Sequence, residues 1–469
     1  MPLAIRVLAL LLLLQSGIFA QYELVRKVDA ENGIEVAVQV EDQAGESVFS
    51  FRSEQQMVLA SNTKLFTTAA AMAELGSDYR WQTSFFLYQQ RLYVVGGGDP
   101  SLRLAKGVDG GARMLDQVVA MLKDREISSL REVIFDDTFF ARPVRHPDWP
   151  EDQWMNKWCA PVSALAVEGN CLLIESIDGQ LKIIPPLGAA LKVKRKTGKP
   201  GTPLSAWWSG NQFSIQVRGS QNTTGEVALA VSEPRDLFQH WFLEGLRSRG
   251  IPAASSSWRN ESEPDAVGTR ETFLLYRHPS AWTLAEAVAV ANKDSDNFVS
   301  EVLFLTLARL YGEGGDFSTA SVAVEASLHE AGWEFGARSQ VDGSGLARDL
   351  GTPLNTASVK QVCALLRMMG ESEQGAVWFD SLPVAGVEGR LKARFGNQVF
   401  QPGRVHAKTG WISGASALSG YLLAGDDDVL SFSIVVNYQP DGSPRTNNAR
   451  FKALQEDILE QVLSKWAKN

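Results

Sequence analysis

A chain of 469 residues, 45% hydrophobic and 21% charged, is long enough for two or three domains with ordinary cores. Its net charge of −9 argues against nucleic acid as a partner, since that class needs a basic face, and its 13 Trp and 22 Phe exclude a disordered chain.

The N-terminus, MPLAIRVLALLLLLQSGIFAQ, carries one positive charge at Arg6, an apolar run over residues 7–14 too short to span a bilayer, and small residues ending at Ala20. This is the pattern of a secretory signal over residues 1–20, and the mature protein is expected to be soluble and exported, with no transmembrane anchor. From Gly33, GIEVAVQVED alternates as a strand does, and SVFSFRS follows a turn at Gly45, which predicts a hairpin. LASNTKLFTTAAAMAEL, residues 59–75, is an alanine-rich helical run with Ser61 just ahead of it. RLYVVGGGDPSL reads as a strand entering a glycine turn, and REVIFDDTFF as a strand ending in acids.

Between about Asp148 and Phe273 the character changes. A basic, proline-punctuated stretch, PPLGAALKVKRKTGKPGTPLS, is followed by the short strands QFSIQVRGS and EVALAVSE, as expected for small β-rich units placed between two halves of another domain. AWTLAEAVAVANKDSDNFVSEVLFLTLARLYG then has helical spacing, and PLNTASVKQVCALLRMM predicts a helix with a Thr/Ser start. ASALSGYLLAG and VLSFSIVVNYQ return to strand. In the C-terminal ARFKALQEDILEQVLSKWAKN, residues Phe451, Leu454, Ile458, Leu459, Val462, Leu463 and Trp466 form one stripe. The stripe is expected to pack on a sheet, with a peripheral membrane contact as the alternative. Strands first, helices in the middle, then strands and a helix predict an α+β fold, an antiparallel sheet covered by helices. Cys159 and Cys171, twelve residues apart (171 − 159), can pair in an oxidising compartment, whereas Cys363 lies in an apolar helical run and reads as a buried hydrophobe. No Cys/His spacing suggests zinc, and no cofactor is expected.

Ser61 fits a helix N-cap, but Lys64 follows it by three residues, on the same helix face, where a neutral amine can take the serine's proton. Two further signals accompany this Ser-x-x-Lys: Ser295-Asp296-Asn297 in ANKDSDNFVSE, and Lys408-Thr409-Gly410 in VHAKTGWISGASALSGY. A second K-T-G at Lys196 sits between charges and a proline and reads as solvated loop; Lys408 precedes the alternating run to Leu423 and is the choice for a strand edging a site. The ordered trio is that of penicillin-binding proteins and class A β-lactamases. In that chemistry Ser61 attacks a carbonyl to give an acyl-enzyme, and Lys64 is the base, a proton-handling role that contributes about 10²–10⁴-fold. Ser295 relays a proton to the leaving amine, Asn297 holds the substrate's peptide, and Lys408 adds positive charge. Thr409 binds a carboxylate, Gly410 completes the motif, and the backbone N–H groups of Ser61 and Trp411 form the oxyanion hole.

Ser61 and Ser295 are 234 residues apart (295 − 61), far more than in a class A β-lactamase. With this insertion the chain resembles the D-alanyl-D-alanine carboxypeptidase/endopeptidases of the penicillin-binding-protein-4 type, peptidase family S13. Beyond the trio, the resemblance rests on GGGDPSL (96–102), DDTFF (136–140), APVSALAVEGN (160–170), NKDSDN (292–297), DGSGLAR (342–348), LPVAGVEGRL (382–391) and ALSGY (417–421). It implies a serine β-lactamase/transpeptidase-like domain formed by residues 21–85 and 274–469. Residues 86–273 would be two inserted small units, α/β and β-rich, meeting near 148–175.

The resemblance also implies cleavage of D-Ala-D-Ala stem peptides and of peptidoglycan crosslinks, acylation by penicillins and other β-lactam antibiotics, and a periplasmic location. It suggests Asp152 and Arg348 as the acid and base that recognise the charged end of a diaminopimelate side chain. Trp411 departs from the Thr or Ser that usually follows K-T-G. The backbone N–H survives the change, but a hydroxyl for the terminal carboxylate is lost, which favours endopeptidase over carboxypeptidase work. Two other readings of the same residues are a β-lactamase or esterase, for which no water-activating base is seen, and a catalytically silent peptidoglycan-binding protein, which has no chemical need for both lysines.

Overall fold

A computed structural model describes residues 23–104, 110–259, 273–311, 314–334, 336–348, 354–396, 399–425, 428–439 and 444–466. The signal segment, residues 1–20, lies outside them. The chain divides into two compact units, the first drawn from residues 1–74, 288–296 and 324–469, the second from 75–287 and 297–323.

The first unit is built on five strands: β1 (Ile34–Glu41), β2 (Ser47–Phe51), β3 (Val405–Ile412), β4 (Ala415–Leu423) and β5 (Val429–Tyr438). Their order is β3-β4-β5-β1-β2, and every neighbouring pair is antiparallel. The two ends of the sequence are knitted together where β1 pairs with β5, from Ile34 opposite Tyr438 to Glu41 opposite Ser431. β4 and β5 are buried on both faces, so helices must cover both.

Successive side chains on β4 point to opposite faces. Leu418 and Leu422 join the core made by the C-terminal helix α3 (Pro444–Trp466), while Ser419 bonds Asn62 in the turn Ala60–Asn62 that enters α1 (Thr63–Leu75), and Tyr421 bonds α2 (Val359–Glu371). The α3 stripe Phe451, Leu454, Ile458, Leu459, Val462 and Leu463 is at most 4% exposed, with Trp466 packed at its end. That apolar face is therefore spent on the sheet, and the alternative of a membrane contact along it does not hold. α1 is buried from Thr63 to Met72, and its alanines and threonines let neighbours approach closely. α2 starts at a capping box in which Gln361 N donates to Ser358 Oγ (3.2 Å) and Ser358 N donates to Gln361 Oε1 (2.8 Å). Cys363 is fully buried on it.

The second unit holds a five-stranded mixed sheet in the order Ser256–Trp258, Glu132–Asp136, Arg91–Val95, Gln82–Tyr88, Phe273–Pro279. The parallel pair Arg91–Val95 and Glu132–Asp136 is linked through the helix Gly110–Lys123. Phe85, Phe135, Phe238 and Phe242 pack in one aromatic cluster with the helix Pro234–Ser248. Two three-stranded sheets complete it, one centred on Cys171–Ile177 and one on Asn211–Gly219. Cys159 and Cys171 are both buried and are not joined in a disulfide.

Two expectations need correction. The stretch around Lys196 is not loop but the strand Lys192–Thr197, solvent-exposed along its whole length and paired in parallel with Asn211–Gly219. The long helical run after Ala281 is two helices, Leu284–Lys293 and Asn297–Tyr311, with Ser295 between them at φ +58°. The polar residues of N-K-D-S-D-N bond to distant parts of the chain, Asn292 to Ser381, Lys293 to Glu388 and Ser295 to Lys408, and these contacts override the apolar period on either side.

Ile434 lies fully buried at the centre of β5 beneath α3. Ile434→Ala is expected to destabilise the first unit by about 2–5 kcal/mol, read as a lowered urea midpoint with unchanged slope.

Candidate active site

Ser61 lies in the short 3₁₀ turn Ala60–Asn62 that enters α1, and no side chain caps the start of that turn. Its Oγ accepts a hydrogen bond from Lys64 Nζ at 3.1 Å. Lys64 is fully buried and also donates to the Ser344 carbonyl at 2.9 Å. The residue before the serine, Ala60, is held at φ +49°, a left-handed conformation that costs a non-glycine residue energy and persists only where neighbours enforce it.

The enforcing neighbour is the loop of residues 342–348, D-G-S-G-L-A-R. Buried Asp342 folds it by accepting from Gly345 N (2.7 Å) and Ala347 N (2.6 Å). Thr67 of α1 donates to the Gly343 carbonyl at 2.9 Å. A Cβ on Gly345, which sits at φ +78°, would lie 1.9 Å from the Ala60 carbonyl oxygen, so only glycine lets this loop rest on the serine turn. Sequence reasoning missed Asp342, Ser344 and Gly345 as parts of the site; the only signal for them was the D-G-S-G run.

The second pair is Ser295 and Lys408. Lys408, on β3, is fully buried and donates to Ser295 Oγ (2.8 Å) and to the Thr409 carbonyl (2.9 Å). Burial pushes its ammonium well below the usual lysine range, and the positive charges of Lys64 and Arg390 push it further. The two pairs therefore feel one another. Backbone contact joins them as well. A Cβ on Gly410 would lie 2.7 Å from the Leu59 carbonyl oxygen and 3.1 Å from Asn62 Oδ1, so the glycine of K-T-G allows β3 to lie against the serine turn. Asn62 Nδ2 in turn donates to Ser419 Oγ of β4 at 2.6 Å.

β3 is the edge strand of its sheet. Ala385 N donates to the Val405 carbonyl, and Ala407 N donates to the Pro383 carbonyl, both at 2.9 Å, so the peptide groups of residues 405 and 407 point outward. The period of two along a strand turns those of Thr409 and Trp411 the same way. The Trp411 indole is 44% exposed and Thr409 is half-buried.

Of the remaining sequence candidates, Arg348 is half-buried at the end of the 342–348 loop. Asn297 opens the helix Asn297–Tyr311 in the second unit, and its Nδ2 donates to the Trp158 carbonyl at 2.9 Å. Asp152 is exposed in the turn Glu151–Gln153 of the same unit.

Known proteins resemble this chain over most of its length. A D-alanyl-D-alanine carboxypeptidase from Actinomadura sp. (strain R39) is 30% identical over 448 residues, covering 88% of this chain and 79% of that relative. The D-alanyl-D-alanine carboxypeptidase DacB of Haemophilus influenzae is 23% identical, covering 85% of this chain and 84% of its own length. The crystal structure of penicillin binding protein 4 from Haemophilus influenzae superposes with a TM-score of 0.74 over 93% of this chain and 97% of that one, at 22% identity, and so shares the fold. The profile of the D-Ala-D-Ala carboxypeptidase 3 (S13) family matches residues 23–457, and the chain belongs to that family.

Proposed function

We propose that this D-Ala-D-Ala carboxypeptidase works through an acyl-enzyme on Ser61, with Lys64 as the base. The observation that carries the reading is the 3.1 Å contact between Lys64 Nζ and Ser61 Oγ. A hydroxyl within hydrogen-bond reach of a buried amine is the geometry an activated nucleophile needs.

The steps follow from the groups in place. Ser61 Oγ attacks the carbonyl of the penultimate D-alanine, and its proton passes to the neutral Lys64 amine. The oxyanion is held by the N–H groups of Ser61 and Trp411; the outward direction of the Trp411 peptide on the β3 edge supports that role. One such donor is typically worth about 10²–10³ in turnover. As the C–N bond breaks, Ser295 hands a proton to the leaving amine, supported by its 2.8 Å bond to Lys408. Water then hydrolyses the ester and regenerates Ser61. Asn297 holds the substrate's peptide, and Thr409 and Gly410 line the carboxylate side. Penicillins acylate the same serine.

In this reading the catalytic domain is discontinuous, residues 21–85 and 274–469, with 86–273 inserted. D,D-endopeptidase cleavage of peptidoglycan crosslinks belongs to the same chemistry, since the bond broken is again one to a D-alanyl carbonyl. Asp152 and Arg348 recognise the charged end of the diaminopimelate side chain. The signal pattern over residues 1–20 directs the protein to the periplasm. Among the described residues no helix is long and apolar enough to cross a membrane.

D-Alanine release from an N-acyl-L-Lys-D-Ala-D-Ala peptide, followed with a coupled D-amino-acid oxidase assay, tests this directly. Ser61→Ala is expected to lose at least about 10³-fold in kcat/KM with unchanged thermal stability, and retained turnover would exclude Ser61 as nucleophile. Trp411→Thr restores a hydroxyl beside the K-T-G segment. It is expected to raise kcat/KM on free D-Ala-D-Ala ends severalfold, by about 1 kcal/mol of added hydrogen bonding. Unchanged or lower kcat/KM would count against the assigned role of that position.

A further inference from the structure

Residues 383–391 form a loop fastened between the β3 edge and the Ser295 turn. Bonds from Ala385 N to the Val405 carbonyl and from Ala407 N to the Pro383 carbonyl tie it to β3. Lys293 Nζ pairs with Glu388 Oε1 at 2.8 Å, and Leu391 is fully buried beneath the loop. At its far end Arg390 donates from Nε to the carbonyl of Asp294, at 3.1 Å, one residue before Ser295. The guanidinium is exposed, and among the described residues no carboxylate lies within ion-pair distance of it. Its charge nevertheless reaches Lys408.

The Arg390 guanidinium stands one residue from Ser295 with no described carboxylate to balance it, and a substrate carboxylate would supply that balance. An arginine presents a planar fork that matches a carboxylate, and here Nε is anchored while the rest of the fork is open. The loop is fixed, so holding the fork in place costs little side-chain entropy. Trp411, next to K-T-G, offers no hydroxyl for a carboxylate, so the site lacks a donor that Arg390 can replace.

We propose that Arg390 binds the carboxylate on the leaving-group side of the substrate: the terminal carboxylate of a D-alanyl-D-alanine end, or its counterpart in a penicillin. The inference rests on the acyl-enzyme reading of Ser61.

The test compares second-order acylation rates by benzylpenicillin and by its methyl ester, followed by intact mass, in the wild type, Arg390→Gln and Arg390→Lys. Glutamine keeps a donor for the Asp294 carbonyl and removes the charge; lysine keeps the charge without the fork. The wild type is expected to prefer the free acid. Arg390→Gln should slow acylation by the acid about 10- to 100-fold, the loss of a charge-assisted hydrogen bond, and leave the ester rate unchanged. Arg390→Lys should recover part of the loss. Equal slowing with both compounds would make Arg390 a prop for the Ser295 turn and overturn the proposal, as would no change with either. No acylation of the wild type by either compound would remove the acyl-enzyme reading, and this inference with it.

Discussion

The constraint on which the first unit turns is the burial of two lysine amines in one site. Lys64 and Lys408 are both fully inaccessible to solvent, and each carries a side chain that loses its hydration on folding. Such groups persist only where acceptors replace the lost water. Ser61 Oγ and the Ser344 carbonyl serve Lys64, while Ser295 Oγ and the Thr409 carbonyl serve Lys408. Two of those four acceptors are the hydroxyls to which the proposed mechanism assigns nucleophilic attack and proton relay. Satisfying the buried amines and arming the serines are thus the same set of bonds.

Bringing these groups together requires backbone to approach backbone. Gly345 rests on the Ala60 carbonyl and Gly410 on the Leu59 carbonyl, one from the loop of residues 342–348 and one from β3. Between them they clamp the serine turn from two sides, with Ala60 held in a left-handed conformation. α1 contributes the small Thr67 where this loop comes close, its hydroxyl donating to the Gly343 carbonyl. The sheet supplies rigidity: β3 is an edge, its outward groups at Val405 and Ala407 bonded to the 383–385 segment and its Thr409 and Trp411 N–H groups turned away from the sheet, while β4 and β5 behind it are covered on both faces.

Much of this was readable from residue order. Strict alternation marked β1 and the C-terminal strands, and the α3 stripe is the face that packs. The reach of Lys64 to Ser61 follows from a spacing of three on a helix. The contact between Ser295 and Lys408, 113 residues apart, does not follow from local rules; only the order of the three motifs pointed to it. Three features were hidden for physical reasons. The break at Ser295 interrupts a helical period that continues unchanged on either side, so the residue pattern does not distinguish a turn there from the polar face of a helix. The Lys192–Thr197 strand is charged and exposed, and its pairing with Asn211–Gly219 rather than its own pattern makes it a strand. Asp342, Ser344 and Arg390 act through loop geometry, for which sequence carries no period.

The account stands on Lys64 as the base for Ser61. The most direct measurement is the rate at which a single benzylpenicillin mass appears on the intact protein, wild type against Lys64→Met. A persistent adduct on the wild type and a slowing of at least about 10²-fold in the variant, at matched thermal stability, is the predicted result. Acylation of Lys64→Met at the wild-type rate would contradict the assignment and require another base.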